Sequence, residues 1–457
     1  MVYWYLCMLN IAEVLSTKKF VENKRMVMKM SDANAEKIKS ALLQGEFGLE
    51  MEGLRVNRSG FLSHTPHPFK KQSHIVRDFC ENQIEINTGV EKSAKNAVQA
   101  LGNYYKEIQA VLSQLPEPEY LWPFSNPPYI KDEKDIPIAE FVGEEREKTE
   151  YRKYLSERYG RYKMALSGIH VNYSFSETFL KLQYGQYGTG DYKEYKNQFY
   201  LQLAQNILKY SWLIVVLTAA SPVLDSSFVE KGVWGKDLFL GLSSVRCSEL
   251  GYWNSFTPVF SYQNLDAYIE SLQWYIEKDW IQSPSELYYP VRVKPKGENA
   301  LENLKQNGIN HIELRMFDVN PLAEFGVNDK DVEFVQLMMG WLASLPMEKL
   351  SDVDQIQAIQ NIKNAAHFDL KTVNIYTDGK MLSMVDAALQ VLEQMKRYYE
   401  YFPDKENIQR ILEYEEEKCR DASKRYAWII REQYENDYVG KGLKLAAVKQ
   451  NIQSKNE

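Results

Sequence analysis

Four stretches of the chain repeat one pattern, in which apolar and polar side chains alternate. In "FGLEMEGLRV" (47–56), Leu49 and Met51 point one way while Glu50 and Glu52 point the other, about 7 Å apart on an extended backbone. "CENQIEIN" (80–87) sets Glu81, Gln83, Glu85 and Asn87 against Ile84 and Ile86. "GIHVNYSF" (168–175) sets His170, Asn172 and Ser174 against Ile169, Val171, Tyr173 and Phe175. "HIELRMF" (311–317) sets His311, Glu313 and Arg315 against Ile312, Leu314 and Met316. A period of two is the signature of a half-buried strand. All four strands share an apolar back and a front rich in carboxylate and imidazole.

Around them the period changes to that of a helix. Helices are expected from a cap at Ser31 or Asp32 to about Leu43, then over 92–113, 139–158 and 191–219. The Pro-rich "LPEPEYLWPFSNPPYI" (115–130) is a loop, because Pro removes donors and fixes φ. Further strands are expected over 78–88, 240–247, 286–293 and 310–317, and residues 329–449 read as helix nearly throughout. Strands gathered in the first two thirds, before a helical last third, predict an α+β fold rather than regular βαβ winding. The apolar run "WLIVVLTAA" (212–220) has nine residues and continues an amphipathic pattern, so it reads as a buried helix and not a membrane span. The apolar N-terminus carries Glu13 and lacks a positive leader region. Residues 1–30 are therefore taken as an extension ahead of one catalytic domain, 31–450.

Composition narrows the class. With 44% hydrophobic and 13% aromatic residues, the chain can bury a large core. A net charge of −7 without a long Lys/Arg block argues against a nucleic-acid surface. Cys7, Cys80, Cys247 and Cys419 are far apart in the sequence, which suits reduced thiols in a cytoplasmic protein.

If the four polar fronts belong to one sheet, their carboxylates converge and raise one another's pKa unless a cation intervenes. Oxygen donors with a single histidine suit Mg²⁺ or Mn²⁺ better than zinc. The alternative is four ordinary half-exposed strands. Other chemistries lack their motifs: no P-loop or GxSxG elbow occurs, and "GQYGTGD" (185–191) reads as a turn because no strand precedes it.

Six blocks, in order, resemble glutamate–cysteine ligase of the bacterial type, which also forms the front half of bifunctional glutathione synthases. They are "GLEMEGLRVNRSGFLSHTPHP" (48–68), "RDFCENQIEINT" (77–88), "YRKYLSERYGRYKMALSGIHVNYSF" (151–175), "SSVRCSELGY" (243–252), "SELYYPVR" (285–292) and "HIELRMFDVNPL" (311–322). The resemblance implies a glutamine-synthetase-like fold, with a mixed or antiparallel sheet forming a funnel whose concave face is polar. It implies ATP- and Mg²⁺-dependent joining of the L-glutamate γ-carboxylate to the amine of L-cysteine through γ-glutamyl phosphate. Glu50, Glu52, Asp78, Glu85, His170 and Glu313 match the family's metal ligands, and Glu81 keeps a further family acid. Arg152 and Arg315 match arginines beside the transferring phosphate, and Arg246 matches the one that receives the glutamate α-carboxylate. Phe79, Tyr151, Leu155, Tyr252 and Tyr288 match the pocket for cysteine. Met164, Cys247, Glu249 and the short basic "FKKQSHIVR" (69–77) depart from the usual pattern. With no room for a second catalytic domain, the chain is expected to stop at γ-glutamylcysteine. A ligase for a different amine and a catalytically idle, ligand-binding relative are the alternatives.

Overall fold

The computed structural model describes residues 33–69, 74–346, 348–377 and 379–454. The expected extension 1–30, with Cys7, and the expected caps Ser31 and Asp32 lie outside the described residues. The strands are β1 (Gly45–Val56), β2 (Ile75–Arg77), β3 (Gln83–Asn87), β4 (Tyr120–Leu121), β5 (Gly168–Phe175), β6 (Val223–Asp225), β7 (Asp237–Phe239), β8 (Val291–Lys294), β9 (His311–Asp318), β10 (Asn374–Thr377) and β11 (Lys380–Ser383). Seven of them form one sheet in the order β2-β3-β1-β5-β9-β8, with β4 beside the end of β1. Every pairing in it is antiparallel. The four alternating stretches are therefore neighbours in a single sheet.

The two faces divide as the alternation requires. Phe47, Leu49, Met51, Ile169, Val171, Tyr173, Ile312 and Leu314 are buried in the main core. Helix Ala94–Ser113 packs on β1, helix Tyr192–Thr218 packs on β8 and β9, and helix Asp329–Ala343 packs on both helices. Each such aliphatic side chain contributes roughly 1.5–3 kcal/mol by leaving water. The run "WLIVVLTAA" is the buried end of helix Tyr192–Thr218. The glycine-rich turn before it ends at Asp191, whose carboxylate caps the helix by accepting from the N–H groups of Lys193 and Glu194. Among the described residues, no helix is long and apolar enough to cross a membrane.

The structure departs from the expected elements in several places. Residues 240–247 form a loop after the short β7 instead of a strand. Serine hydroxyls satisfy part of its backbone: Oγ of Ser221, from the segment before β6, accepts from Val245 N–H, and Ser244 Oγ accepts from Cys247 N–H. The strand expected over 78–88 breaks at a turn closed by Gln83 N–H to Cys80 O (3.0 Å), leaving only Gln83–Asn87 extended. Residues 286–293 contribute only β8, from Val291. The helix expected over 139–158 begins later, as Arg146–Tyr159. The β10–β11 hairpin interrupts the helical last third, with Gly379 at φ 74° in its turn, a conformation that favours glycine.

Candidate active site

Register builds the site. Glu50 on β1 lies directly opposite His170 on β5, and Asn172 on β5 lies opposite Glu313 on β9, which in turn lies opposite Arg292 on β8. Directly opposed residues have Cβ atoms about 4.5–5.5 Å apart, so side chains from four strands meet on the polar face. His170 Nδ1 is 2.9 Å from Glu50 Oε2, and Asn172 donates to Glu50 Oε1 at 2.9 Å. Ligand atoms of Glu50, His170 and Glu313 all lie within 4.8 Å of one another. Burial, reinforced by the Arg315 charge, lowers the His170 pKa to about 4, so the imidazole is neutral near pH 7. Although burial alone would raise Glu50, the hydrogen bond with His170 prevails and holds its carboxyl below the ordinary value.

A second acidic group adjoins the first. Glu52 on β1 is paired directly with Glu85 on β3, an arrangement of like charges that is unfavourable unless something neutralises it. Burial, then the Asp78 carboxylate, pushes Glu52 up to about 8. Burial, Asp78, Glu50 and Glu52 push Glu85 well above its ordinary value. Asp78 is also raised by burial, against the pull of Arg152. His170 joins the two groups, since its Nε2 is 3.8 Å from Glu52 Oε1. Glu52 Oε2 accepts from Gly168 N–H at 2.8 Å.

Cations flank Glu313. Burial would raise its pKa, but Arg315, Arg292 and Lys294 at 3.4, 3.6 and 3.5 Å hold it well below the ordinary value. Glu313 Oε2 is nonetheless buried without a hydrogen-bond partner. Oxygen donors, one neutral imidazole, an unpartnered carboxylate oxygen and three carboxylates raised by burial and by one another's charge together fit a divalent cation.

Arg246 reaches the site from the 240–247 loop. Its Nη1 donates to the carbonyls of Arg315 and Phe317, and its Nη2 is 3.4 Å from His170 Nε2. The guanidinium covers Gly168, where a Cβ would fall 2.3 Å from Arg246 Cζ. Arg246, Cys247, Tyr252, Trp253, Tyr288 and Arg315 line a pocket beside the acidic groups. The Tyr252 and Tyr288 rings meet edge to face at 4.9 Å. Phe79 and Leu155 belong to a second apolar cluster, on which Tyr151 and Tyr288 pack.

Two expected residues sit differently. Arg152 donates to the backbone carbonyls of Asp78 (2.6 Å) and Lys148 (3.0 Å), while its charge still acts on Asp78. Glu81 leaves the polar row at the turn, where it accepts from Arg77 (2.7 Å) and from His67 N–H (2.8 Å). The sequence places Asn172 on the polar front of its strand without giving it a role, and it does not single out Arg292 and Lys294 at all. The alternation in "VRVK" does put Arg292 and Lys294 on one face, but only the pairing of β8 with β9 gives that face a carboxylate.

The model of the family "Glutamate-cysteine ligase" matches residues 30–282 and 275–365. A glutathione biosynthesis bifunctional protein of Clostridium perfringens is 32% identical over 90% of this chain, and the chain spans 54% of that relative's length. A glutamate–cysteine ligase of Clostridium acetobutylicum is 30% identical over 81% of this chain and 87% of its own. The crystal structure of a glutamate–cysteine ligase from Francisella tularensis shares the fold, with a TM-score of 0.81 at 23% identity over 90% of this chain and 89% of that one. The chain belongs to the glutamate–cysteine ligase family.

Proposed function

We propose that the chain joins the γ-carboxylate of L-glutamate to the amine of L-cysteine, consuming ATP and giving γ-glutamylcysteine, ADP and phosphate. The observation that carries this reading is the meeting of Glu50, His170 and Glu313 within 4.8 Å, beside the raised acids Glu52 and Glu85. A carboxylate is inert to amines until it is phosphorylated, and the γ-phosphate of ATP and the glutamate carboxylate repel each other. Bound divalent cations, Mg²⁺ in preference to Mn²⁺, supply the neutralisation that lets the two anions touch. Glu50, His170, Glu313, Glu52, Asp78 and Glu85 are the residues that would hold such ions.

Arg246 receives the α-carboxylate of glutamate through its planar fork, which directs the γ-carboxylate toward the acidic row. Arg315 and Arg152 balance charge on the transferring phosphoryl group. A γ-carboxylate oxygen attacks the γ-phosphorus and ADP departs. The cysteine amine, lodged among Phe79, Tyr151, Leu155, Tyr252 and Tyr288, then attacks the acyl carbon, phosphate departs and the amine loses a proton. No enzyme nucleophile is required. We take residues 31–450 as the catalytic domain acting in the cytoplasm, a reading supported by the free thiols of Cys80, Cys247 and Cys419.

Protein incubated with Mg²⁺, ATP, glutamate and cysteine should form γ-glutamylcysteine and ADP in equal amounts, read by mass spectrometry. No product at any metal concentration refutes the reading. Faster turnover of another amine in a panel would move the assignment to a different γ-glutamyl ligase.

A further inference from the structure

Glu286 is fully buried, outside the acidic row, and has no part in the chemistry above. Its Oε1 accepts from Tyr159 O–H at 2.7 Å and from Tyr154 O–H at 3.2 Å, with Arg158 Nε at 3.3 Å. Its Oε2 accepts from Gln282 N–H at 2.6 Å. Each of the two tyrosines backs a wall of the proposed amine pocket. The Tyr159 ring meets Tyr288 edge to face at 5.1 Å, and the Tyr154 ring stacks on Tyr151 at 6.4 Å. Asn254 closes the frame: its Nδ2 donates to Tyr159 Oη (3.1 Å) and to Glu286 O (2.9 Å), and its Oδ1 accepts from Tyr288 N–H (2.9 Å).

We propose that Glu286 is a positioning residue for the amine acceptor, one buried carboxylate that fixes both tyrosine walls and thereby sets selectivity among amines. All of its neighbours are donors, and only a carboxylate accepts from every one of them. An amide in the same place turns its N–H₂ toward donors on one side, either toward Gln282 N–H, which displaces the turn that carries the side chain, or toward Tyr154 and Tyr159, which releases both. Half-buried rings held at their hydroxyl ends keep a pocket of fixed width, whereas released rings admit amines of other sizes. The inference rests on the ligase reading above, because it presumes that Tyr151 and Tyr288 face the amine.

The test is steady-state kinetics of Glu286→Gln and Tyr159→Phe with cysteine and 2-aminobutyrate as acceptors, titrating glutamate and ATP in parallel. Glu286→Gln is expected to raise KM for cysteine about tenfold and narrow the preference over 2-aminobutyrate, with KM for glutamate and ATP within about twofold. Tyr159→Phe, which keeps the ring and removes one hydroxyl, should move the same constant in the same direction by about threefold. A purely structural role would lower activity without separating the three KM values. The proposal falls if the amine KM stays within about twofold in both variants, or if all three KM values rise together. Should Glu286→Gln fail to fold, Tyr159→Phe decides alone. A wild type that forms no γ-glutamyl amide with any amine overturns the ligase reading itself, and this inference with it.

Discussion

Replacing Glu52 by Gln should stabilise the metal-free protein at neutral and alkaline pH, although it removes a side chain assigned to metal binding. Burial and Asp78 raise the Glu52 pKa from its ordinary 4.5 to about 8 in the folded state. A carboxyl whose folded pKa lies above its unfolded one favours the native state fully below the unfolded value, and that contribution is lost as pH rises toward the folded value. Each unit is worth about 1.4 kcal/mol, so between pH 5 and pH 8 the metal-free wild type loses on the order of 4 kcal/mol through this group. The glutamine amide does not titrate and loses nothing. For a chain of 457 residues the unfolding entropy is about 1 kcal/mol/K, so the Tm difference between variant and wild type should swing by roughly 4 °C in favour of the variant. Thermal melts followed by circular dichroism, in EDTA and in excess Mg²⁺, provide the measurement. On the proposed metal role of Glu52, Mg²⁺ should raise the wild-type Tm more at pH 8 than at pH 5, because the ionised carboxylate would bind the cation without competition from a proton. The variant should lose that pH-dependent part of the shift. Parallel melting curves for the two proteins across the pH range would refute the reasoning, because Glu52 would then be neutralised by a partner other than a metal.

Other changes separate roles within the site. Glu50→Gln should reduce turnover about 100-fold or more, with little change in Tm, as read by ADP release and melting. Glu313→Gln should abolish turnover and also lower stability by about 3 kcal/mol in urea titrations, because Arg292, Lys294 and Arg315 would share a buried charge cluster without its anion. Gly168→Ala should displace Arg246 and raise KM for glutamate about tenfold, leaving KM for ATP nearly unchanged. Away from the site, Lys418 lies 2.8 Å from both Asp331 and Glu415, all three buried. Lys418→Met should lower stability by about 3–5 kcal/mol, with the kcat of the remaining folded protein preserved.

The legible part of the site was the part that lies on strands. Glu50, Glu52, Glu85, His170, Glu313 and Arg315 all belong to alternating segments, and the structure puts them on the polar face of one sheet. Asp78 and Arg246 carry no such signal. Asp78 lies in the turn between β2 and β3, and Arg246 lies in a loop whose backbone donates to the hydroxyls of Ser221 and Ser244 in place of a ladder. Periodicity cannot register either, and both were named only because their surroundings resemble a family's. Apolar residues misled where they served a loop: "LFLGLSSV" (238–245) has the composition of a strand, but Gly241 adopts φ 74° and breaks the extended path.

What the sequence withheld most completely was register, and the electrostatics of the site depend on it. Arg292 and Lys294 are ordinary edge-strand cations until β8 pairs with β9 and sets Arg292 opposite Glu313. A slip of one residue in that pairing would turn the whole row to the apolar back. The pairing of β5 with β9 shifts between Ile169 and Val171, and the extra residue lies on β9, where Arg315 and Met316 together face the single residue His170. An extra residue at a bulge re-aims a side chain, and here it falls at Arg315, whose Nη1 lies 3.4 Å from both Glu313 Oε1 and His170 Nδ1. The only trace of that offset in the sequence is the adjacent pair Met316 and Phe317, both buried in the core, where strict alternation would have turned one of them outward. The charges were readable from composition and alternation. Their mutual distances, which make Glu313 a strong acid and Glu52 a weak one, come only from how the strands are set against each other.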